Sequence, residues 1–402
     1  MKYKGLLAAA LACLLLAGCG DKPETAAPIE TTLPPQTEPV QTVPPTTEPT
    51  EPPVTEPELE AGFQVVADGD TLAGGSLLSE GVTYVKAEEF FSALDQGTYR
   101  FDEELGHTLL WNDREYAARS GNEGLIRDGT TLVLASPVLT REDGVWVPLE
   151  ELCGLLNISV LTDRQFGTIY CTAIAAGWTP EEGVRIPILM YHGVTDNTWG
   201  STELFVSPSD MEQQIQYLVE NGYDTITFED WSHLEDFDKP VMLTFDDGYL
   251  DNYEELFPIL KKYNVKATIF AITAAVDTDS RTMTSAQAKE MADSGLVSIQ
   301  SHTFSHPFLS ECTEAELHEQ MLWSKIQVAQ MTGYEPFVLC YPSGDSNELV
   351  RQIAREYYSF GINMGGGLYT TGEDYFQIDR YYVSRYTALS AFIEMVENAG
   401  RE

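Results

Sequence analysis

The second half of the chain alternates short apolar runs with stretches of helical periodicity. The runs are continuous rather than alternating, as is typical of strands buried on both faces of a parallel sheet. After the first run, Ser207 and Pro208 begin a helical pattern whose apolar residues Met211, Ile215 and Leu218 share one face. Strands are predicted at 188–191, 224–228, 241–245, 266–272, 297–301, 337–341, 359–363 and 381–384. Repeated strand and helix pairs predict an α/β fold, a closed or partly closed parallel β/α barrel at 184–402.

A separate unit with an internal repeat precedes the barrel, at residues 62–175. The segment Gly81–Phe90 returns, with one residue deleted, as Gly144–Leu152. Each copy reads as a turn, a short strand and a short amphipathic helix. We therefore predict a small α+β repeat domain, which serves as a spacer or a wall-binding module.

The first 18 residues have the composition of a targeting segment. Lys2 and Lys4 precede an apolar run, 5–17, that is too short to span a membrane comfortably, and the small residues at its end lead directly to Cys19. The pattern resembles a bacterial lipoprotein signal, in which Cys19 is lipidated and anchors an extracytoplasmic protein to the cell membrane. An ordinary secretory signal or an uncleaved anchor is the alternative.

Residues 19–60 are almost entirely Thr, Pro and Glu. Residues 21–60 contain eleven prolines and no aromatic residue, so this stretch cannot bury a core, and we predict an extended, disordered spacer. It carries nine acids and one lysine, a net charge of −8, whereas the whole chain carries −40. The folded part is therefore acidic too, which argues against nucleic acid and anionic polymers and is compatible with neutral or partly cationic glycans.

Polar residues cluster where the predicted strands end. Asp246 and Asp247 follow the third strand, and His302 and His306 follow the fifth. One carboxylate and two imidazoles form a three-ligand set that leaves a position open, and the second carboxylate is then free to act as a base. The four-residue spacing places both rings on one face if the segment is helical. Alone, an Asp-Asp-Gly is most often a turn and a His pair is most often a surface helix feature; together, each after its own strand, they predict a catalytic metal site.

The segments that carry these residues resemble motifs of a known family. Residues 244–248, 302–306 and 337–344 are similar to the first three motifs of the polysaccharide deacetylases, carbohydrate esterase family four. The start of the barrel, 187–193, resembles the branch that deacetylates poly-N-acetylglucosamine. Residues 62–175 resemble the small stalk domain related to the N-terminal domain of copper amine oxidases.

The resemblance implies a mechanism. Asp247, His302 and His306 would hold a divalent metal, most simply zinc, with cobalt, nickel, iron or manganese also compatible with the ligands. The metal would polarise an N-acetyl carbonyl and lower the pKa of the attacking water. Asp246 would act as the base, and the backbone N–H of Tyr341 would stabilise the oxyanion.

The chain departs from the family in three places, one of which is the acid and aromatic pair of the fourth motif, which has no match in this sequence. The histidine that normally protonates the leaving amine near the C-terminus is missing, since no histidine follows His318. His192, at the end of the first strand and beside the last strand in a closed barrel, would fill the same space, or it has a structural role. The arginine that precedes the third motif is also missing, and Arg380 or Arg385 is a candidate to replace it.

Other features of the sequence leave alternatives open. Trp199 and Tyr369 lie in loops suited to stacking on sugar rings, or are ordinary rim packing. Four cysteines remain besides Cys13 and Cys19. Cys153 with Cys171 and Cys312 with Cys340 are possible pairs, but the sequence leaves all three connectivities open, as well as no disulfide at all.

The predicted function is removal of N-acetyl groups from N-acetylhexosamine residues of a cell-wall or exopolymer glycan by a monomeric surface lipoprotein. The alternatives are a metal-dependent esterase or amidase with another acetylated substrate, and a glycan-binding pseudoenzyme, which the missing C-terminal histidine suggests.

Overall fold

The computed structural model describes residues 31–32, 60–94, 97–173 and 182–401. The chain forms two compact units, one from the described residues up to 173 with Gly333–Glu335, and one from the rest of 182–401. Cys19 and the leader lie outside the described residues, so the signal peptide and the lipidation remain predictions. None of the described helices is long and apolar enough to cross a bilayer.

The N-terminal unit contains three five-stranded sheets within its described residues. Its helices are Ala87–Ala93 and Leu149–Leu156. Its strands are Thr31–Thr32, Glu60–Ala61, Gln64–Ala67, Asp70–Thr71, Leu77–Ser79, Val82–Lys86, Thr98–Asp102, Gly106–Trp111, Arg114–Ala118, Leu125–Arg127, Thr130–Leu132, Leu139–Arg141, Gly144–Pro148, Ile158–Asp163 and Thr168–Ala173.

The two copies of the repeat are each a strand that runs directly into a helix, as predicted. The strands Val82–Lys86 and Gly144–Pro148 pair antiparallel, with Val85 opposite Val147. Both helices bury their apolar face in one common core. The likeness to the copper amine oxidase stalk domain stays a prediction.

One element of this unit differs from the expectation for the Thr/Pro/Glu spacer. Thr31–Thr32 pairs antiparallel with Val160 and Leu161, at the edge of a sheet. The composition of 19–60 predicts no pairing, but the edge of a sheet leaves backbone groups free to pair with another segment.

The C-terminal unit is built on a curled parallel sheet. The spatial order of its strands is Phe360–Ile362, Val338–Cys340, Val297–Ser301, Ala267–Ala271, Pro240–Asp247, Ile188–Tyr191 and Tyr381–Tyr382. The segment that leads into the last strand also bridges the first, because Ile378 pairs with Ile362 in parallel. The sheet therefore curls until its two edges meet around residues 378–382, which confirms the predicted β/α barrel.

The predicted strand at 224–228 is mostly wrong. Only Asp224–Thr225 pairs, with Pro240 and Val241, and it lies off the main path of the sheet. Thr227 instead caps the 3₁₀ segment Phe228–Asp236, where its backbone N–H and hydroxyl bond the Asp230 carboxylate. This local capping box competes successfully with extension of the strand.

Helices pack around the outside of the curled sheet. The helix Pro208–Glu220 begins at the predicted cap, where the Ser207 hydroxyl accepts from the Asp210 N–H, and it buries the predicted apolar face. The other helices are Phe257–Tyr263, Ser285–Asp293, Glu314–Thr332, Glu348–Tyr357 and Leu389–Val396, with a π segment at Asn252–Leu256. Short 3₁₀ turns lie at Thr202–Leu204, Thr273–Ala275, Leu309–Glu311 and Pro342–Gly344, and further short strands at Val184–Ile186, Gly193–Val194, Phe205–Val206, Tyr369–Thr370 and Gly400–Arg401.

Candidate active site

The carboxyl ends of the barrel strands bring the predicted polar residues to one face of the unit. Asp246 and Asp247 end the strand Pro240–Asp247, and His302 follows the strand Val297–Ser301 immediately. His192 follows Ile188–Tyr191, which pairs with Pro240–Asp247 on one side and with Tyr381–Tyr382 on the other. Parallel strands align their carboxyl ends, so residues far apart in sequence converge there.

Asp247, His302 and His306 come together as a potential ligand set. Their ligand atoms all lie within 4.8 Å of one another. The Nε2 atoms of His302 and His306 lie 3.6 and 3.8 Å from Asp247 Oδ1. Neighbouring ligands of a tetrahedral ion with bonds near 2.1 Å are separated by about 3.4 Å, so this donor set fits a divalent metal of the zinc type.

The orientation of His302 is fixed by its second ring nitrogen. Nδ1 lies 2.9 Å from the carbonyl oxygen of Cys340, and because that oxygen can only accept, Nδ1 carries the proton. Burial and the neighbouring His306 lower the pKa of His302 to about 4. The ring is therefore neutral near pH 7, with the Nε2 lone pair directed to the ligand cluster, as a metal ligand requires.

The two histidines do not share a helix face, contrary to the expectation. The segment after His302 is a turn in which Thr303 and His306 have left-handed backbones, with φ of 65° and 61°. The Thr303 hydroxyl accepts the His306 N–H at 3.1 Å and holds this turn. Asp247 is left-handed as well, with φ of 77°. Such conformations are unfavourable for residues other than glycine and concentrate at functional sites.

Arg380 supplies the guanidinium that the third motif lacks. Its Nη1 and Nη2 donate to the two oxygens of Asp246 at 2.7 and 2.8 Å. Both side chains are buried, Arg380 completely. The remaining donors of Arg380 bond Thr244 Oγ1 at 3.0 Å, the Asn363 carbonyl at 2.9 Å and the Cys340 sulfur at 3.1 Å. The guanidinium is thus fully engaged in a fixed position.

This pairing keeps Asp246 ionised. Burial on its own raises the pKa of the carboxyl group, but the Arg380 guanidinium outweighs it and holds the pKa of Asp246 below its usual range. The other sequence candidate, Arg385, has a different role, since it bonds Asp196 at 2.9 Å and the carbonyl groups of Thr195 and Phe205.

The prediction for the Tyr341 backbone is wrong. Its N–H donates to the carbonyl of Ile362 at 3.0 Å within the sheet, so it is not free to meet an oxyanion. The Tyr341 ring is fully buried, and its hydroxyl donates to the Phe376 carbonyl. The following turn, Pro342–Gly344, is the part of this motif that leaves the strand, and Ser343 there has a φ of 57°.

His192 lies beside the carboxylate pair. Its charge, when protonated, acts on Asp246, and its ring meets the edge of Tyr382 at 6.3 Å between centroids. The Nδ1 atom of His192 is buried and has no hydrogen-bond partner among the described residues. An unpaired buried ring nitrogen is costly in a purely structural histidine, which favours a role in the site.

The two aromatic candidates for sugar contact differ. Trp199 is half-buried and packs against Tyr249, with 4.7 Å between the ring centroids. The Arg281 guanidinium lies over the Trp199 ring, 4.6 Å from its centroid. Tyr369 is fully buried and donates its hydroxyl to the Glu373 carbonyl, so it cannot stack on a sugar. Apolar packing in the core accounts for Tyr369.

The described cysteines are all free thiols. Cys340 contacts Asp246 and Arg380, and Cys312 donates to the Phe308 carbonyl. The thiol of Cys171 instead bonds Cys153. Of the two pairs left open by the sequence, the structure brings only Cys153 and Cys171 into contact.

The buried carboxyl group of Asp251 should make the free energy of unfolding depend on pH. Burial raises the pKa of its carboxyl group to about 6, above the value of about 3.9 expected for the unfolded chain. As the pH rises, the folded protein therefore keeps this proton to a higher pH than the unfolded chain does. The protonated carboxyl group stabilises the folded state fully below about pH 4, and this stabilisation is lost as the pH rises through about 6. We expect Asp251→Asn, which keeps an acceptor for the Val194 N–H, to raise the free energy of unfolding at pH 8 relative to pH 4.5 by about 1–3 kcal/mol.

Urea titrations of both proteins at the two pH values measure this difference. Asp279→Asn is the control, since Asp279 is paired with Arg281 at the surface and its pKa is lowered. An equal effect of Asp251→Asn at both pH values would contradict the prediction.

Comparison with known proteins identifies the family of this chain. The family model described as polysaccharide deacetylase matches residues 234–359. YxkH of Bacillus subtilis (strain 168), a protein assigned to the polysaccharide deacetylases, is 34% identical over 224 residues, which are 54% of this chain and 78% of YxkH. The peptidoglycan-N-acetylglucosamine deacetylase of Bacillus cereus is 33% identical over 106 residues, 26% of this chain and 36% of that protein.

Solved structures show the same fold. The Streptococcus pyogenes deacetylase PplD, solved with acetate, has a TM-score of 0.50 and 29% identity over 53% of this chain and 99% of its own. The Bacillus cereus polysaccharide deacetylase BC0361 has a TM-score of 0.51 and 23% identity, covering 75% of this chain and 100% of its own. At that identity the second match shows the fold alone.

Proposed function

Because this chain belongs to the polysaccharide deacetylase family, whose members hydrolyse N-acetyl amide groups, we propose that it is a metal-dependent deacetylase of N-acetylhexosamine residues in a cell-wall or exopolymer glycan. The observation that carries the proposal is the convergence of Asp247, His302 and His306 beside the buried Asp246. Of the two adjacent carboxylates, Asp247 is therefore proposed as a metal ligand and Asp246 as the base.

The three-residue ligand set fits a divalent metal, for which zinc is the proposed ion. Bound there, it would supply a Lewis acid for the acetyl carbonyl and would acidify the attacking water. Asp247 and the Nε2 atoms of His302 and His306 would hold it. Asp246 is oriented by its bidentate bond to Arg380, and we assign it the role of base rather than that of ligand.

Asp246 is proposed to accept the proton of the attacking water. Its low pKa keeps it unprotonated across the physiological range, so the base is always in the correct state. A low pKa also makes it a weak base, which suffices only where the water is acidified as well. Arg380 holds the carboxylate in one orientation and so removes the cost of aligning it during the reaction.

The oxyanion and the leaving amine need donors. With the Tyr341 N–H engaged in the sheet, the Ser343 N–H is our candidate for the oxyanion, because Pro342 has no N–H and the Gly344 N–H donates to the Tyr341 carbonyl. His192 is proposed as the acid that protonates the leaving nitrogen, which lets the C–N bond break and releases acetate and a free amine.

The substrate and the cellular location extend this proposal beyond the site. The relatives above include a protein named for peptidoglycan N-acetylglucosamine, and Escherichia coli (strain K12) poly-β-1,6-N-acetyl-D-glucosamine N-deacetylase is 23% identical over 52% of this chain and 38% of its own. The acidic chain suits a neutral glycan that becomes cationic on deacetylation. We propose that Cys19 carries a lipid anchor and that the monomeric enzyme acts outside the cell membrane.

Acetate release from an N-acetylglucosamine pentamer tests the proposed function. The whole chain is assayed as purified, after chelation and after reloading with zinc, together with the variant His192→Ala. We expect chelation to abolish release, zinc to restore it, and His192→Ala to lower the rate by about 10²-fold or more. Metal content is measured on every sample.

Two results would overturn the proposal. Release from acetylated xylan but not from the pentamer or from peptidoglycan would indicate an esterase. A protein that binds zinc and the pentamer but releases no acetate would indicate a glycan-binding protein without catalysis. Unchanged release by His192→Ala would remove the acid assignment alone.

A further inference from the structure

The turn that follows the strand Pro240–Asp247 is hydrogen-bonded to His192, the residue proposed as the acid. Asn252 lies six residues after Asp246, at the start of the π segment Asn252–Leu256, and is completely buried. Its Nδ2 donates to the main-chain carbonyl of His192 at 2.9 Å. We propose that Asn252 is a positioning residue, which holds His192 at a fixed place relative to Asp246 and Asp247.

The direction of the Asn252 amide follows from its neighbours. Nδ2 faces two acceptors, the His192 carbonyl and, at 3.1 Å, Asp251 Oδ1. Rotating the amide would place its oxygen against both of them, which is unfavourable. The amide is therefore a donor to the His192 backbone, whatever the protonation of the His192 ring.

The segment around His192 is held at a second point by the same turn. Asp251 Oδ1 accepts the Val194 N–H at 2.7 Å. Between these two contacts, Gly193 packs so closely that an added Cβ would lie 2.3 Å from the Phe205 ring. Residues 192–194 thus have little freedom to shift. Gly193 and Val194 pair with Phe205 and Val206, and residues 251 and 252 hold the segment from the side of the turn.

The cost of this arrangement indicates a role beyond stability. Asn252 Oδ1 is buried and has no partner among the described residues. A buried polar atom without a partner is unfavourable, and an apolar residue of the same size would avoid it. A π segment also interrupts the regular helix at this position, and such segments are frequent at functional sites.

His192 needs such a constraint. Its Nδ1 has no partner in the described part of the chain, and Tyr382 meets its ring only edge to face. A general acid must lie within hydrogen-bond reach of the leaving nitrogen, and small displacements lower the rate strongly. The turn that carries Asn252 directly follows the strand that ends in Asp246 and Asp247. Fixing the His192 main chain from this turn therefore sets the distance between acid and base.

This inference rests on the proposed role of His192, and the test separates the two. When an amide is hydrolysed, the amine leaves only as its nitrogen takes up a proton. When an aryl acetate is hydrolysed, 4-nitrophenolate leaves without taking up a proton. A misplaced acid should therefore impair amide hydrolysis and spare the aryl ester. General unfolding or metal loss should impair both, because both need the metal and Asp246.

The experiment compares Asn252→Ala and the near-isosteric Asn252→Leu with the whole wild-type chain, loaded with zinc. Rates are measured on the N-acetylglucosamine pentamer and on 4-nitrophenyl acetate, with circular dichroism and zinc content for each protein. We expect kcat on the pentamer to fall on the order of 10-fold or more, and the rate on the aryl ester to stay within about 2-fold. Asn221→Ala is the matched control, since Asn221 also donates to a backbone carbonyl, that of Tyr217, but on an exposed helix end; it should change neither rate.

Each outcome decides the question. Equal losses on both substrates, or no loss on the pentamer for Asn252→Leu, would overturn the positioning role. If His192→Ala shows the amide-selective loss and the Asn252 variants do not, the inference fails while the proposed function stands. If His192→Ala retains full amide activity, the acid assignment fails first and the positioning role with it.

Discussion

Replacing Arg380 with methionine is expected to lower the free energy of unfolding by about 3–5 kcal/mol and to abolish most deacetylase activity. In the wild-type protein both oxygens of Asp246 bond the guanidinium. The change leaves Asp246 buried with no counter-charge. A carboxylate that loses its partner in a buried site becomes protonated more readily, so its pKa rises and the base is lost at neutral pH. Urea unfolding at pH 7 and acetate release measure the two effects.

An exposed arginine provides the control for this change. Arg355 pairs with Asp374 at 2.9 Å, but both side chains remain about two-fifths exposed. Arg355→Met is expected to cost no more than about 1 kcal/mol, because water already screens that pair. If Arg380→Met were as mild as Arg355→Met, the buried pair would not be what holds Asp246.

Asp246→Asn is expected to lower kcat by about 10³-fold, while the protein still binds one zinc ion. The amide has the shape of the carboxylate but cannot take a proton from water at neutral pH. Asp247→Asn, one residue later, should instead weaken zinc binding, because Asp247 and not Asp246 faces both imidazoles. Zinc content and acetate release, measured for each variant, separate a base from a ligand.

Excess zinc sharpens this comparison. It should recover part of the activity of Asp247→Asn and none of that of Asp246→Asn. Equal zinc loss in both variants would show that the two carboxylates act together as ligands, and the division of roles would be wrong. Because Asp246→Asn also leaves Arg380 without its charge partner, circular dichroism must first show that the variant is folded.

The low pKa of Asp246 has a consequence for the pH dependence of the reaction. Since the carboxyl group is ionised well below neutral pH, the acid side of the rate profile should not report the base. It should instead report the loss of bound metal at low pH, because protons compete with the metal for its ligands.

The sequence alone determined the type of fold and the chemistry carried by the strand ends. Continuous apolar runs are buried on both faces wherever they fold, so the parallel barrel follows from their length and spacing. A carboxylate pair or a histidine placed directly after such a run lies at the carboxyl end of the sheet in any barrel of this kind. The location of Asp246, Asp247, His302 and His192 on one face of the barrel therefore follows from their positions in the sequence.

Local backbone geometry was less predictable. The His302 and His306 spacing suggests a helix, but a turn with left-handed residues forms instead. The Tyr341 amide lies two residues before that of Ser343, and it is still bonded within the sheet, to the Ile362 carbonyl. Both errors concern single torsion angles and hydrogen bonds, which sequence periodicity does not resolve.

Only the tertiary structure decided which charges and polar groups meet. Arg380 lies 134 residues from Asp246, and Arg385 was an equal candidate by sequence until closure of the barrel placed Arg380 inside it. Asn252 carries no recognisable signal in the sequence, yet it reaches the His192 carbonyl across 60 residues. Periodicity specifies which residues are buried, whereas the pairing of buried polar groups depends on how the edges of the sheet close, and that is a property of the whole barrel.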